Sequence, residues 1–339
     1  MYLIIGIFYL ILLILCLGLL KNKKFGNKIQ RSFSIIISCR NEEKNLPRLF
    51  KALSEINYPA DKFEIIIADD ASSDYSPYLI KKFSSENSHV KSVILTEKNT
   101  DFKGKKAALK AAIEKSVFPY LLFTDADCSP SPDWLSSYNN YFNPQIDMVI
   151  GFSPEETSNK FYAFTQVLNA GLYAASVGIG FPFSCSGRNY CLRKKKYDEI
   201  SGFSKFKNNV SGDDKMLLNE VVRTGGKVNY NPDSPVKTFK SENFTEQQKR
   251  RYGKFSQHRI SYKILSLLLF IFFLYLPFYI AEYPSYLVFH FLFLSLFHLS
   301  NTKIHGLKFS FTDVLFFSLV PYYIIFFSIW GIASKWRWK

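Results

Sequence analysis

The chain has 339 residues, a formal net charge of +15, and 34 Phe and 21 Tyr residues, many of them towards its C-terminus. A chain of this length can bury a large core and can hold two domains. The basic residues are dispersed and accompany no nucleic-acid-binding module, which argues against a nucleic-acid partner and favours contact with anionic lipid.

Residues 2–20 form an uncharged apolar run. As a helix this run is about 28 Å long, close to the thickness of about 30 Å of a bilayer's hydrocarbon core. It has no basic segment before it and ends in Gly18-Leu19-Leu20 rather than in a small-residue cleavage site, so we expect an uncleaved anchor rather than a signal peptide. The linker at 21–32 is basic, and the positive-inside rule then places the following domain in the cytoplasm.

Alternating strands and helices are predicted from residue 33 onward. Strands fit 33–38, 63–68, 91–96 and 120–124, and helices fit about 46–56, a segment starting at Ser76-Pro77, and 105–116. Alternation at intervals of about thirty residues is typical of βαβ units, so the sequence predicts a mainly parallel sheet.

Polar clusters follow three of these strands: Asn41-Glu42, Asp69-Asp70 and Asp125-Ala126-Asp127. Ligands of open α/β sheets bind beyond the carboxyl ends of the strands, where we expect all three clusters to lie. Asp125 and Asp127 share one side of the chain, and their hard oxygen ligands suit Mg²⁺ or Mn²⁺ that bridges to substrate phosphates. Acidic residues at strand ends also cap turns and helices, so the pattern by itself leaves both roles open.

The pattern is less regular beyond residue 147. Apolar residues recur at helical spacing between 161 and 172, which fits either a core helix or a helix lying on the membrane surface. Residues 213–223 predict an amphipathic helix whose first turn carries Asp213 and Asp214, and 227–230 fit a last strand.

Apolar runs dominate the C-terminal region. Residues 264–281 and 314–333 are uncharged and long enough to span a bilayer. The segment 286–300 between them is shorter and contains His290 and His298, so it fits either a short span or a re-entrant piece. The distribution of Lys and Arg does not decide between these alternatives.

Eight short motifs follow one another along the chain: Asn41-Glu42-Glu43, Asp69-Asp70-Ala71-Ser72-Ser73-Asp74, Gly104-Lys105, Asp125-Ala126-Asp127, Gly187-x-Asn189-x-x-x-Arg193, Ser201-Gly202-Phe203, Gly212-Asp213-Asp214 and Gln248-Lys249-Arg250-Arg251-Tyr252. With these motifs the region 33–256 resembles a membrane-bound family 2 glycosyltransferase of the GT-A fold. The resemblance implies an α/β domain with a mainly parallel sheet, flanked by N- and C-terminal transmembrane helices. Ser38, Ser201, Asp213 and Tyr252 depart from the family's usual Pro, Gly, Glu and Trp, and none of these departures removes a charge that the chemistry needs.

The resemblance implies an inverting transfer of a sugar from a UDP- or GDP-linked donor, with Mg²⁺ or Mn²⁺ as cofactor. It assigns Asp214 as the catalytic base and Asp125 and Asp127 as the metal ligands. The donor-binding residues that it implies are Asn41, Glu42, Asp70, Lys105, Asp125 and Arg251. The residues that it implies on the acceptor side are Asn189, Arg193, Asp213, Gln248 and Tyr252.

The expected organisation is an anchor at 1–20, a basic linker at 21–32, a cytosolic GT-A domain at 33–256, and a membrane region at 257–339 with two or three spans. We expect an integral protein of the plasma (inner) membrane whose acceptor is a lipid or a lipid-linked glycan, because the active site should lie near the bilayer surface. Two alternatives stay open. One is a processive polysaccharide synthase, which the small number of spans disfavours, and the other is a catalytically silent GT-A subunit of a membrane assembly.

Overall fold

The computed structural model describes residues 2–26, 29–97, 101–102, 104–209, 212–239, 245–246, 248–249 and 260–333. The chain divides into two compact units. The sheet unit contains Lys23–Glu155 and Ser184–Phe239, and the helical unit contains Met1–Asn22, Glu156–Phe183 and Lys240–Lys339. Residues 156–183 therefore interrupt the sheet unit in sequence and belong to the helical unit.

The sheet unit is built around a mixed β-sheet. Its strands within the described residues are β1 (Phe33–Cys39), β2 (Phe63–Asp70), β3 (Val90–Leu95), β4 (Tyr120–Asp125), β5 (Cys128–Ser129), β6 (Ile146–Gly151), β7 (Tyr190–Arg193), β8 (Lys227–Asn231) and β9 (Lys237–Thr238). The order in the main sheet is β3-β2-β1-β4-β7-β6-β8, and β5 pairs with β9 in a small second sheet.

The first four strands predicted from the sequence form the parallel half of the main sheet, the strand predicted at 227–230 is β8 at the opposite edge, and the predicted fold class is confirmed. β1 pairs in parallel with β2 and with β4, and β2 pairs in parallel with β3. Every residue of β1 and of β2 is buried. Continuous burial is expected of parallel strands that helices cover on both faces, and it explains the runs of isoleucine in both strands.

β7 and β6 are strands that the sequence did not predict. β7 runs antiparallel to both β4 and β6, and β6 pairs in parallel with β8. β7 has 4 residues, which are too few for a strand pattern to be recognised. The β6–β8 ladder has a register shift between Ile146 and Met148.

The helices within the described residues are α1 (Tyr2–Leu19), α2 (Leu46–Ser54), α3 (Ser76–Glu86), α4 (Lys106–Glu114), α5 (Trp134–Tyr141), α6 (Lys160–Gly178), α7 (Lys194–Glu199), α8 (Asp213–Arg223), α9 (Ile260–Glu282), α10 (Ser285–Ile304) and α11 (Phe311–Ala333). α3 begins at Ser76-Pro77, as predicted, because proline is suited to the first turn of a helix. α8 has its predicted bounds, and Gly212 precedes it with a φ of 89° that glycine adopts without strain.

The helical unit contains α1, α6 and α9 to α11. Within the described residues, Ser285–Ile304 and Phe311–Gly331 are long and apolar enough to cross a membrane. Shorter apolar segments lie in α1 and α9, at Ile5–Leu19 and Ser266–Glu282. The segment predicted at 286–300 is part of one continuous helix of 20 residues, which favours the spanning alternative over the re-entrant one.

α6 packs inside the helical unit. Asn22, just after α1, donates from Nδ2 to the carbonyl of Ala174 at 2.9 Å, and Asn301, near the end of α10, donates to that of Val167 at 3.0 Å. The carboxyl ends of α1 and α10 therefore meet the same helix. Near the middle of both helices, the rings of Tyr9 and Phe293 stack with centroids 4.7 Å apart, so α1 and α10 run in the same direction.

Candidate active site

The carboxyl ends of β1, β2 and β4 lie level with one another. The strand register aligns Cys39 with Asp69 and Ser38 with Asp125. The polar clusters that follow these strands therefore lie at one edge of the sheet, where ligands of such sheets bind.

The loops after β1 and β2 are tied together by hydrogen bonds. Asn41, with a φ of 54°, donates its backbone N–H to Ser72 Oγ at 2.9 Å, and its Oδ1 accepts from the Ser73 N–H at 2.9 Å. Glu42 donates its backbone N–H to Ser76 Oγ at 2.9 Å. These bonds hold Asn41 and Glu42 in a defined position beside the end of β2.

Asp69 and Asp70 are adjacent but have different surroundings. Asp69 is fully buried and accepts from the Ser72 N–H at 2.9 Å and from Ser72 Oγ at 2.5 Å. Asp70 is also buried, and its Oδ2 lies 3.6 Å from Arg40 Nη1. Asp69 therefore stabilises the turn after β2, whereas Asp70 interacts with a guanidinium group.

Two consecutive lysines bind two different carboxylates. Lys105, the residue before α4, forms an ion pair from Nζ to Asp125 Oδ1 at the end of β4. Lys106, the first residue of α4, has its Nζ 2.8 Å from Asp213 Oδ1 at the start of α8 and also donates to the carbonyl of Asn209. The side chain of Lys106 is 0% exposed and that of Asp213 is 6% exposed. The start of α4 thus connects the end of β4 to the start of α8.

Lys105, Lys106, Asp125, Asp213 and Asp214 form a group of opposite charges that we call the charge cluster. Burial opposes the charge of Lys105, but Asp125, Asp213 and Asp214 together raise the pKa of Lys105 above its usual range. Burial raises the pKa of Asp213, and the neighbouring Lys106 and Lys105 offset only part of this effect. The lysines and carboxylates of the charge cluster therefore attract each other at a site that is partly shielded from water.

Lys106 is the member of the charge cluster that the sequence did not predict. It is buried in α4 together with Ala107, Ala108, Leu109 and Ile113. Residues 106, 109 and 113 recur at helical spacing and share one face of the helix. The sequence signal for this role of Lys106 is a lysine on the apolar face of an Ala-rich helix, because lysine is almost never fully buried without a partner.

Asp214 lies beside the segment that leads into β7. A methyl group at Gly187 would be 3.3 Å from Asp214 Oδ2, so the glycine leaves room for this half-buried carboxylate. Burial is the main cause that raises the pKa of Cys185 and that of Tyr190 well above their usual values, and the negative charge of Asp214 is the second cause. Tyr190 stacks on Phe123 of β4 with ring centroids 4.4 Å apart. The start of α8 therefore lies close to β4 and to this segment.

Asp125 and Asp127 are half-buried carboxylates at the end of β4. The carbonyl of Asp127 accepts from Thr238 Oγ1 at 3.3 Å, which ties the turn to β9. In the part of the chain that the structure describes, no group of three or more His, Cys, Asp or Glu side chains is placed to hold a metal ion. One or two carboxylates are what Mg²⁺ takes from a protein when substrate phosphates and water complete its coordination, so this pair fits such an ion.

Asn189 is fully buried in the sheet unit. Its Oδ1 accepts from Trp134 Nε1 at 2.9 Å and from the Tyr138 hydroxyl at 2.8 Å. Its Nδ2 donates to the carbonyls of Phe152 at 2.8 Å and Ser234 at 3.0 Å. These four bonds use the hydrogen-bonding capacity of the amide, so the side chain anchors the segment between Gly187 and β7.

Arg193 lies at the opposite end of the sheet from the charge cluster. It is paired with Tyr120 at the start of β4, because β7 runs antiparallel to β4. Its guanidinium donates to the carbonyls of Ile146 and Asn143, both at 2.6 Å. A strand of this length separates its two ends by about 16 Å. The structure therefore does not bring Arg193 to the other predicted residues of the sheet unit.

The remaining predicted residues belong to the motif that begins at Gln248. Gln248 is buried in the helical unit. Arg251 and Tyr252 lie outside the described residues. The roles assigned to these three residues stay predictions.

Similarity to known proteins was found in both sequence and structure. The sequence model described as "Glycosyl transferase family 2" matches residues 34–206. The glycosyltransferase AglE of Haloferax volcanii is 32% identical over 119 residues, which are 35% of this chain and 38% of AglE. The beta-monoglucosyldiacylglycerol synthase of Nostoc sp. is 28% identical over 116 residues, which are 33% of this chain and 24% of the synthase. The match thus spans less than half of either relative.

Among solved structures, the mannosyltransferase PcManGT of Pyrobaculum calidifontis, in complex with GDP-Man and Mn²⁺, is similar with a TM-score of 0.61. The similarity covers 98% of this chain and 96% of that chain at 14% sequence identity. This likeness shows a shared GT-A fold.

Proposed function

The chain belongs to glycosyltransferase family 2, and we propose that it is an inverting enzyme that moves a sugar from a nucleotide-diphosphate donor to a membrane-associated acceptor, with a divalent metal. The charge cluster is the observation that carries the proposal. It offers Asp125 for a metal, Lys105 for donor phosphates and Asp214 for an acceptor hydroxyl, all near one edge of the sheet. These are the groups that the transfer of a sugar from a diphosphate requires.

The proposed donor site lies along the loops after β1 and β2 and the start of α4. Asn41, Glu42 and Asp70 bind the nucleoside in this proposal. Lys105 turns from Asp125 to the diphosphate, at a helix start where backbone N–H groups and the helix dipole already favour an anion. A divalent metal held by Asp125 and Asp127 would neutralise the charge that develops on the departing diphosphate.

Asp214 is the proposed catalytic base. It takes the proton from the acceptor hydroxyl while the hydroxyl oxygen bonds to the anomeric carbon and the bond from that carbon to the diphosphate breaks. A single displacement of this kind inverts the anomeric configuration. Asp213 is engaged by Lys106, which supports Asp214 as the carboxylate of the pair that serves the acceptor.

A lipid or a lipid-linked glycan is the acceptor that we propose. α10 and most of α11 are long and apolar enough to cross a membrane, and they expose large apolar side chains such as Val288, Leu292 and Phe311. The Nostoc relative is by name the synthase of a glucosylated diacylglycerol. We therefore place the protein in the plasma (inner) membrane, with the sheet unit in the cytoplasm and its acceptor delivered at the bilayer.

Detergent-purified protein tests the proposal with UDP-glucose, UDP-N-acetylglucosamine and GDP-mannose as donors. We expect at least one donor to release its nucleoside diphosphate in the presence of Mg²⁺ or Mn²⁺ and not in the presence of EDTA. Asp125→Asn should lose most of this release, while Asp198→Asn, an exposed residue of α7, should keep it. Absence of release from every donor with either metal would favour the catalytically silent subunit instead.

A further inference from the structure

Lys106 is unusual in the charge cluster because its whole side chain is buried. Its Nζ lies 2.8 Å from Asp213 Oδ1 and also donates to the carbonyl of Asn209. A buried ammonium group is tolerated when it is both paired and hydrogen-bonded. Since the Lys106 side chain is 0% exposed, it is shielded from a donor or an acceptor that arrives from solvent.

The ion pair distinguishes two adjacent acids. Asp213 is the first residue of α8 and its carboxylate is buried against Lys106, whereas Asp214 is half-buried beside Gly187. Successive helical residues point about 100° apart, so holding one of them sets the direction of the other. The ion pair therefore defines the orientation of the first turn of α8.

We propose that Lys106 is a positioning residue that holds Asp213 and thereby directs Asp214 at the acceptor hydroxyl. The inference rests on the proposed function, in which Asp214 is the catalytic base. Lys106 acts through the start of α8 and neutralises the negative charge next to the base.

Charged and titratable groups lie around Asp214 from three elements: Asp213 and Lys215 on α8, Lys105 and Lys106 at the start of α4, and Cys185 before β7 with Tyr190 at its start. Without Lys106, the Asp213 carboxylate loses the ion pair that holds it at the start of α8, so the direction of Asp214 is no longer fixed.

The test compares Lys106→Met, the double variant Lys106→Met/Asp213→Asn, and the control Lys110→Met, which removes a half-exposed lysine from the same helix. Each variant is assayed with a donor that the wild type consumes, and kcat and the donor KM are measured. We expect kcat of Lys106→Met to fall about 100-fold while the donor KM stays within about threefold, because the base is displaced and Lys106 does not touch the donor.

The double variant also removes the carboxylate that Lys106→Met leaves without its ion pair, and its kcat should be about tenfold lower than that of the wild type, since α8 lacks its anchor. If Lys106→Met does not fold, the kcat and donor KM of the double variant test the positioning role. A wild-type kcat in the double variant, or a donor KM that rises as much as kcat falls in a folded Lys106→Met, overturns the positioning role. Inactivity of the wild type with all donors overturns the proposed function instead, so the two failures are distinguishable.

Discussion

Neighbouring acids of the same type have different tasks in this protein because different elements surround them. Asp69 accepts two hydrogen bonds within its turn, and Asp70 lies near a guanidinium group. Asp213 binds the buried Lys106, and Asp214 lies beside a glycine. In each pair the first acid serves the fold, and the second is the one that we propose to serve a ligand.

Substitution of Asp214 by Asn tests the residue at which the chemistry is proposed to occur. We expect kcat to fall about 1000-fold with little change in the donor KM, because a general base contributes about 10²–10⁴-fold to a rate and Asn cannot accept the proton. Initial rates of sugar transfer measure the change. Glu114→Gln, an exposed acid on α4, is the control and should behave like the wild type. Near-normal kcat in Asp214→Asn would require another base.

At the scale of elements, a buried carboxylate holds the amino end of the parallel sheet. Glu64 of β2 accepts from Ser34 Oγ of β1 at 2.6 Å and from the Val117 N–H before β4 at 2.7 Å, and its Oε2 lies 2.6 Å from Lys91 Nζ of β3. Burial opposes its ionisation, but the bonds from Lys91, Ser34 and Val117 outweigh burial and lower the pKa of Glu64. One charged side chain thus connects neighbouring strands.

Glu64→Gln should lower the free energy of unfolding at pH 7 by about 1–3 kcal/mol, since a charged hydrogen-bond acceptor is replaced by a neutral one. The lowered pKa means that the carboxylate's contribution is fully present above the ordinary pKa of Glu and is lost as pH falls through the lowered value. The difference between wild type and variant should therefore shrink on acidification below about pH 4. Thermal unfolding in detergent at several pH values measures this difference in the free energy of unfolding. Glu86→Gln, at an exposed residue, is the control. A difference that is the same at every pH would contradict this account.

The contact between α1 and α6 depends on two glycines of the helical unit. A methyl group at Gly178 would overlap the carbonyl oxygen of Gly18, and one at Gly18 would overlap that of Ala175. Gly178→Ala should lower the free energy of unfolding by about 1–3 kcal/mol, because the helices must separate to make room. Gly6→Ala is the matched control, since an added methyl group there meets nothing within 4 Å. Equal thermal midpoints for the two variants would argue against close packing of α1 on α6.

At the scale of the whole molecule, the order of the helices predicts how the chain crosses the membrane. α1 and α10 run in the same direction, so the turn after α10 lies at the same end of the helical unit as the end of α1. The basic linker after α1 predicts that this end is cytoplasmic. The turn between α9 and α10 then lies on the outer side.

Protease-cleavable tags test this arrangement in intact cells. Tags inserted near Ser88 and near Gly306 should resist externally added protease, whereas a tag near Pro284 should be cut. Lysed cells provide the control, because every tag should then be cleaved. Cleavage near Ser88 in intact cells would overturn the cytoplasmic assignment, and protection near Pro284 would overturn the crossing order.

Local patterns in the sequence determined much of this protein. The parallel strands, α3, α8 and the apolar runs follow from hydrophobic periodicity and from segment length, which neighbouring residues set among themselves. The ordered motifs assigned Lys105, Asp125, Asp213 and Asp214 to one predicted site through the resemblance to the family. The common edge of Asn41-Glu42, Asp69-Asp70 and Asp125-Ala126-Asp127 was predictable because carboxyl ends of parallel strands meet at one edge.

Only the tertiary structure determined the features that depend on contacts between residues distant in sequence. Pairing with β4 sets the antiparallel direction of β7 and brings Arg193 to the far end of the sheet, and folding brings Lys106 to Asp213, a partner that the residues of α4 do not identify. Packing in the helical unit likewise makes α6 part of that unit. A side chain's charge and a helix's periodicity are local properties, whereas strand direction and the partner of a buried charge are set only when the chain has folded.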